Sequence, residues 1–336
     1  MPFKVMMKSF WEVLALSVPR TLALAAGQIS LLAIVSIASL FAAGSIAIFT
    51  FGYNLQAVPL TIIGVSYSVA AFPTLARLFA AGKKEAFTSY IEAALRHIIF
   101  WSVPATVFVI VLRAQLVRVI LGAGQFDWSA TRLVAAALAI FVVSLAAQSI
   151  SMLIARAYYA AGNTKKPLYY GAVDVVVSIG SALAFVSLFH SSPFMRDFIE
   201  SILRVSDIPG TTVLMLAMGY ACGSIAECLF SFIFFCKDFN LSASRLWILI
   251  FQSFSASIIG ASITYIILAS TGAVGTVNTT IGLVGQGLLS GLVGMSITVG
   301  ILHLLKNPEL AEAIKAFSRY FKDAPPVAVE ATEVAG

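Results

Sequence analysis

Charge is scarce in this chain. Of its 336 residues only 11% are Asp, Glu, Lys or Arg, against 60% hydrophobic, and the mean hydropathy is +0.97. A soluble domain needs far more charge than this on its surface. Several apolar runs reach the roughly 20 residues that cross a bilayer. The chain therefore reads as an all-α, polytopic membrane protein, and the length-per-domain rule of globular chains does not apply to it. Cysteine is also rare. Cys222, Cys228 and Cys236 share one apolar run, and their spacing is neither a disulfide framework nor a zinc pattern. They read as small buried hydrophobes. The three histidines, His97, His190 and His303, lie far apart with no metal-ligand spacing. HExxH, P-loop, nucleotide-fingerprint and nucleophile-elbow patterns are missing. No enzyme activity, catalytic residue, metal or cofactor is expected. The formal net charge of +6 does not point to nucleic acid, because the basic residues sit in short loops where they set topology and meet lipid headgroups. No cleavable signal peptide is expected, since the first apolar run is too long and lacks a cleavage site.

What is present is a series of apolar runs. Eight spans are expected, at about 21–44, 46–72, 95–117, 131–154, 167–189, 212–236, 247–270 and 279–305. Residues 1–20 carry Lys4, Lys8 and Arg20 among apolar side chains and read as an interfacial segment leading to Pro19. Residues 43–45 form a tight turn, and Arg77 to Glu92 a surface helix. A loop holding Gly122, Gly124 and Asp127 follows the third span, and Gly162-Asn163 marks another turn. Within 190–211, Phe194, Phe198 and Ile202 recur at helical spacing, predicting an amphipathic helix on the membrane. Asn307-Pro308 starts a second such helix, with Leu310, Ile314, Phe317 and Phe321 as its apolar stripe, and residues after Asp323 are expected to be disordered. With the N-terminus inside, 16 of the 21 lysines and arginines fall on the cytoplasmic side; only Arg113, Arg118, Arg132, Arg196 and Arg204 fall outside. That bias predicts both termini to be cytoplasmic.

The second span stands apart. It contains Pro59, Gly64 and Pro73, so an uninterrupted helix is not expected there. These three are the candidate hinge; the plainer alternative is a structural kink. Tyr53, Asn54 and Gln56 lie in the same span, and Gln28 and Gln148 in others. They can line a cavity or bond neighbouring helices. Arg20, Arg77 and Arg156 sit at cytoplasmic ends, where a guanidinium fork can clamp phosphate or simply anchor headgroups. Only two acidic residues fall inside spans. Glu227 is the candidate ion-coupling residue, because an intramembrane carboxyl is expensive to keep. Asp174 is expected to pair locally with Lys165 or Lys166. Gly287, Gly291 and Gly294 give the eighth span a small face suited to close helix contact, internal or with another protein.

Several segments resemble one family. Pro19-Arg20-Thr21, Gln28-Ile29-Ser30, Ala38-Ser39 and Gly44-Ser45 look like the seventh helix of the MurJ/MviN lipid II flippases. The likeness continues through Leu55, Pro59, Gly64-Val65-Ser66 and Phe72-Pro73-Thr74-Leu75, then Arg156-Ala157-Tyr158-Tyr159-Ala160, Asn163-Thr164-Lys165 and Pro167. It covers about 9–240. The resemblance implies a multi-pass protein of the bacterial inner membrane, in the multidrug/oligosaccharidyl-lipid/polysaccharide exporter superfamily, acting in peptidoglycan and cell-wall biogenesis. Its substrate would be the undecaprenyl-pyrophosphate-linked precursor, moved from inner to outer leaflet by alternating access. The eight spans would correspond to helices seven to fourteen of that family. Residues 21–240 would be a six-helix lobe, 241–305 two extra helices forming a lipid-tail groove, and 306–336 a cytoplasmic tail. The partner would be a separate N-terminal lobe or a second copy of the chain. The family's N-terminal lobe, with its pyrophosphate-holding arginines, has no counterpart here, and its eighth-helix Asp-Arg pair is replaced by Tyr53 and Asn54. Arg20 and Gln28 keep the family residue. Substrate contacts are therefore expected among Arg20, Gln28, Tyr53, Asn54, Gln56, Arg77 and Arg156. The rival readings are an exporter of another lipid-linked saccharide, a drug/cation antiporter that uses Glu227, and a non-transporting truncated scaffold.

Overall fold

The computed structural model describes residues 3–122, 128–241, 244–274 and 280–322. Among them every regular element is helical. They are α1 (Phe3–Ala38), α2 (Ser45–Leu60), a π turn (Thr61–Val65), α3 (Ser66–Ala80), α4 (Lys84–Leu121), α5 (Trp128–Val143) and α6 (Leu145–Ala160). Then come α7 (Lys165–Ser191), α8 (Pro193–Leu203), α9 (Val213–Phe239), α10 (Ser244–Val274), α11 (Thr280–Leu304) and α12 (Pro308–Lys322). Seven helical stretches among the described residues are long and apolar enough to cross a membrane. The pair α5 and α6, bent by 44°, makes an eighth if counted as one span. The eight expected spans are thus present, and the span expected at 131–154 is this bent pair. The bend is local chemistry. Ser144 Oγ donates to the Phe141 carbonyl at 2.8 Å and accepts from Gln148 Nε2 at 2.7 Å, so side-chain bonds compete with the helical ladder.

The proline-containing span is less interrupted than the sequence suggests. One continuous helical path runs from Ser45 to Ala80, widened only by the π turn, across which the Ser66 N–H donates to the Thr61 carbonyl. Hydroxyls serve the carbonyls around it: Thr61 bonds Ala57 O at 2.8 Å, Ser68 bonds Val65 O at 3.0 Å and Ser66 bonds Ile62 O. A π turn absorbs one extra residue without exposing backbone to lipid, which a true break would do. Gly64 lies inside it, and a Cβ there would sit 3.0 Å from Ser149 Cα, so its bareness lets α6 approach.

Two other boundaries differ from expectation. α1 passes through Pro19 without a break, so the interfacial segment and first span are one helix. The surface helix and third span are likewise fused in α4, which follows a turn at Gly82 with φ +70°. α8 is the expected amphipathic helix. Ser192 Oγ caps it by accepting from the Met195 N–H, and Phe194, Phe198 and Ile202 are exposed on one side. α12 is capped by Asn307 Oδ1 and clipped to α4 by Arg96–Glu309 and His97–Glu312, each at 3.0 Å. Gly124, Asp127 and the residues expected to be disordered beyond 322 lie outside the described residues, as do the side chains of Phe317 and Phe321.

The core is a set of helix seams. Leu75, Ile91, Ile98, Leu153, Ile154 and Phe235 join α3, α4, α6 and α9. Phe49, Phe141, Ala182, Leu214 and Ala217 join α2, α5, α7 and α9. α7 and α9 approach closely, with Gly219 and Gly223 facing Ala182 and Ser178. The glycine face of α11 is used internally. A Cβ on Gly294 would meet Gly260 O at 2.6 Å, and Gly291 abuts Leu112 of α4. Thr298 and Thr264 add bonds between α10 and α11, at 3.4 and 3.2 Å.

Candidate functional site

A cavity of about 330 Å³ opens among α1, α2, α6, α7 and α9. Each helix contributes a stripe at helical spacing. From α6 come Gln148, Met152, Ala155 and Tyr159, with Arg156 beside them; from α9 come Tyr220, Ser224 and Glu227; from α7, Pro167, Gly171 and Asp174; from α1, Ala23, Gly27 and Gln28. α2 contributes Tyr53 and Leu60, and the π turn contributes Val65. The floor is aromatic: Tyr53 and Tyr220 meet edge-on at 5.6 Å, and Phe141 lies 6.0 Å from Tyr53. Such pairs lock ring orientation beyond their area burial.

Charge is graded along the cavity. Arg156 is four residues from the end of α6, about 6 Å of helix rise, and Arg20 lies over the Tyr159 ring at 5.2 Å. The two guanidiniums are close enough to repel each other. Deeper in, Asp174 lies nine residues into α7 and Glu227 twelve residues from the end of α9, about 13 and 18 Å of rise. These two carboxyls also fall within electrostatic range of each other. A cationic mouth above a two-carboxyl interior can take an anionic group at the rim and a cation or proton within.

The structure brings together Gln28, Tyr53, Arg156 and Glu227 of the expected site residues, with Arg20 at the mouth through Tyr159. It places three others elsewhere. Asn54 is exposed on another face of α2, and Arg77 is exposed in the last turn of α3. Gln56 is fully buried in the bundle, and its amide atoms have no hydrogen-bond partner. Pro59, Gly64 and Pro73 do not line the cavity, although their neighbours Leu60 and Val65 do.

The expected local ion pair of Asp174 does not form. Lys166 pairs instead with Asp238, which also accepts from Tyr158 Oη at 2.7 Å, and Lys165 is exposed. Asp174 is buried and accepts from Ser178 Oγ at 3.2 Å. The reason is geometric: a residue eight positions past Lys166 lies about 12 Å up the helix, beyond a lysine's reach. Sequence reasoning missed Tyr159, Tyr220, Ser151 and Ser224. Tyr220, Ser224 and Glu227 recur at i, i+4 and i+7, a polar stripe that could have been read as one face.

These features define the class: a multi-pass, all-helical membrane protein with a charged cavity inside its bundle. The family model for lipid II flippase MurJ matches residues 2–285, and the chain belongs to that family. It is accordingly a multi-pass protein of the bacterial inner membrane, from a family of transporters rather than catalysts. Among curated relatives, the probable lipid II flippase MurJ of Rhizobium tropici is 29% identical over 175 residues, 52% of this chain and 32% of the relative. That of Bdellovibrio bacteriovorus is 31% identical over 155 residues, 46% and 30% of the two chains. The lipid II flippase MurJ of Burkholderia cenocepacia is 24% identical over 177 residues, 53% and 34%. The chain spans about a third of the length of these relatives. A solved structure, lipid II flippase MurJ in an inward closed conformation, shares the fold with a TM-score of 0.65 at 18% identity, over 89% of this chain and 56% of that one.

Proposed function

We propose that the chain acts as one lobe of a lipid II flippase, moving the undecaprenyl-pyrophosphate-linked precursor from inner to outer leaflet by alternating access. The observation that carries this reading is the Arg20–Arg156 pair at the mouth of the cavity, in a chain of this family. Two guanidiniums that repel each other when empty are relieved by a pyrophosphate, whose oxygens match their forks. Gln28 and Tyr53 then contact the head from inside the cavity. Residues 21–240 form the working lobe and both termini face the cytoplasm, as the distribution of basic residues favours. The lobe rocks against a partner, either a separate N-terminal half or a second copy of this chain. The Thr61–Val65 π turn, between Pro59 and Pro73, is the hinge, and α10 and α11 guide the polyprenyl tail.

A second reading has its own support. Glu227 and Asp174 share the cavity interior, which favours coupling to a cation or proton and leaves room for another lipid-linked saccharide or a drug as cargo. The test is rescue of bacteria depleted of their own flippase, with this chain alone or with the N-terminal half of a relative. Rescue by either arm, lost in Arg20→Gln/Arg156→Gln at unchanged membrane level, is the expected result. No rescue in either arm, or full rescue by the double variant, refutes the proposal. Glu227→Gln separates the readings, because loss of cation-dependent drug efflux without loss of rescue belongs to an antiporter.

A further inference from the structure

A second, larger cavity lies at the opposite end of the bundle and shares no helix with the first. Its volume is about 840 Å³, and α4, α5, α8 and α10 supply its walls. Its described lining includes Arg113, Arg132 and Arg204 and no carboxylate. Arg113 of α4 and Arg132 of α5 converge on the short segment that follows α8, and Arg204 belongs to that segment. Arg113 donates to the Leu203 carbonyl at 3.2 Å. Arg132 donates to the Arg204 carbonyl and takes both oxygens of Asp207 at 2.7 Å. Arg204 lies over the Tyr265 ring at 6.0 Å and donates to its hydroxyl at 3.1 Å.

Arg204 closes α8 in the left-handed conformation common at helix C-termini, φ +60°, with the Val205 N–H donating to the Glu200 carbonyl at 2.8 Å. Positive charge is in excess. Asp207 answers Arg132 from outside the cavity and is itself mostly exposed, while the acceptors found for Arg113 and Arg204 are neutral oxygens. Arg113 and Arg204 are near enough to repel each other. Apart from Gln115, Thr131 and Tyr265 the remaining walls are apolar, with Ile110, Val111, Ile140 and Val143 among them. Ile202 belongs both to this wall and to the exposed apolar side of α8 that carries Phe194 and Phe198. The cavity is thus continuous with a surface suited to lie in the membrane interface.

We propose that this cavity binds a lipid-borne phosphate: the anionic headgroup of a bilayer lipid sits among Arg113, Arg132 and Arg204, and its apolar chain follows the wall that ends at Ile202. The guanidinium forks supply charge-assisted bonds to phosphate oxygens, and the apolar walls select an anion carried on a hydrocarbon over a free one. The site does not depend on the flippase reading, because its helices and ligand contacts are separate from the central cavity.

The test is native mass spectrometry of the purified, delipidated chain with phosphatidylglycerol or phosphatidylcholine, with inorganic phosphate as competitor. Phosphatidylglycerol should be retained preferentially. Arg113→Gln/Arg204→Gly should weaken that retention about tenfold, the scale of losing charged hydrogen bonds. Glycine at 204 keeps the backbone conformation, so folding is preserved, and Tyr265→Phe tests the same corner without removing charge. Arg196→Gln, an exposed cation on α8, should leave retention unchanged. Equal retention of the two lipids overturns the proposal, as does wild-type retention in the double variant. Displacement by inorganic phosphate alone overturns the lipid-borne part and leaves a free-anion site. An equal loss in Arg196→Gln reduces the effect to general surface charge and also overturns it.

Discussion

Gly219→Ala tests the physical basis of the bundle most directly. A methyl group at 219 would lie 2.5 Å from Ala182 Cα and 2.6 Å from its backbone nitrogen, whereas ordinary contact begins at 3.4 Å. The obstacle is main chain, so no rotamer change relieves it, and α7 and α9 must part by about 0.9 Å (3.4 less 2.5) along their closest seam. Overpacking of this kind costs about 1–3 kcal/mol, and the lack of a flexible neighbour places the cost at the upper end. Against it stands a helix-propensity gain of about 0.5–1 kcal/mol for replacing glycine. Gly180→Ala isolates that gain, because a Cβ there meets nothing within 4 Å. Thermal unfolding in detergent should therefore show Gly219→Ala melting below wild type and Gly180→Ala at or above it. Rescue should fall in Gly219→Ala as well, since Tyr220 and Ser224 of the cavity stand within about one turn of the seam. A Gly219→Ala protein that melts with Gly180→Ala would show that the seam is not packed as described and would refute the reasoning.

Other outcomes follow from single features. Gly27 lines the central cavity with open space before it, so Gly27→Phe should fill the cavity and abolish rescue while melting stays within a few degrees of wild type. Full rescue by this variant would remove the cavity from the transport path. Asp207 is held below the usual carboxylate range, first by its hydrogen bond from Arg132. Because its folded value is the lower one, its contribution is complete above the unfolded carboxylate range and fades as pH falls through the folded value. The melting advantage of wild type over Asp207→Asn should hold at neutral pH and vanish on acidification, and a pH-independent gap would contradict this.

The legible parts of the fold were those written as long apolar runs. Eight spans, the amphipathic 193–203 helix and the start of α12 at Pro308 all follow from hydropathy, period and caps. What misled were local signals with more than one solution. Pro59 and Pro73 suggested a broken span, and the chain used a π turn with hydroxyl partners instead. Pro19 suggested a boundary that α1 ignores. At the site, Gln28, Tyr53, Arg156 and Glu227 were identifiable as polar groups in apolar surroundings, and the structure collects them. Gln56 and Asn54 had the same sequence character and are not collected: Asn54, one residue past Tyr53, is turned to another face, and Gln56 is closed off by packing.

The sequence by itself determined the solvent of this protein, its span count and its family pattern. These depend on sums over many residues, and such sums tolerate local error. Only the tertiary structure decided which polar groups share a cavity, that Lys166 answers Asp238 rather than Asp174, and that Arg113, Arg132 and Arg204 meet at one corner. Those facts depend on the rotation of each helix about its axis. That rotation is set by which glycine or alanine faces which neighbour across a seam, a pairing that no single stretch of sequence contains.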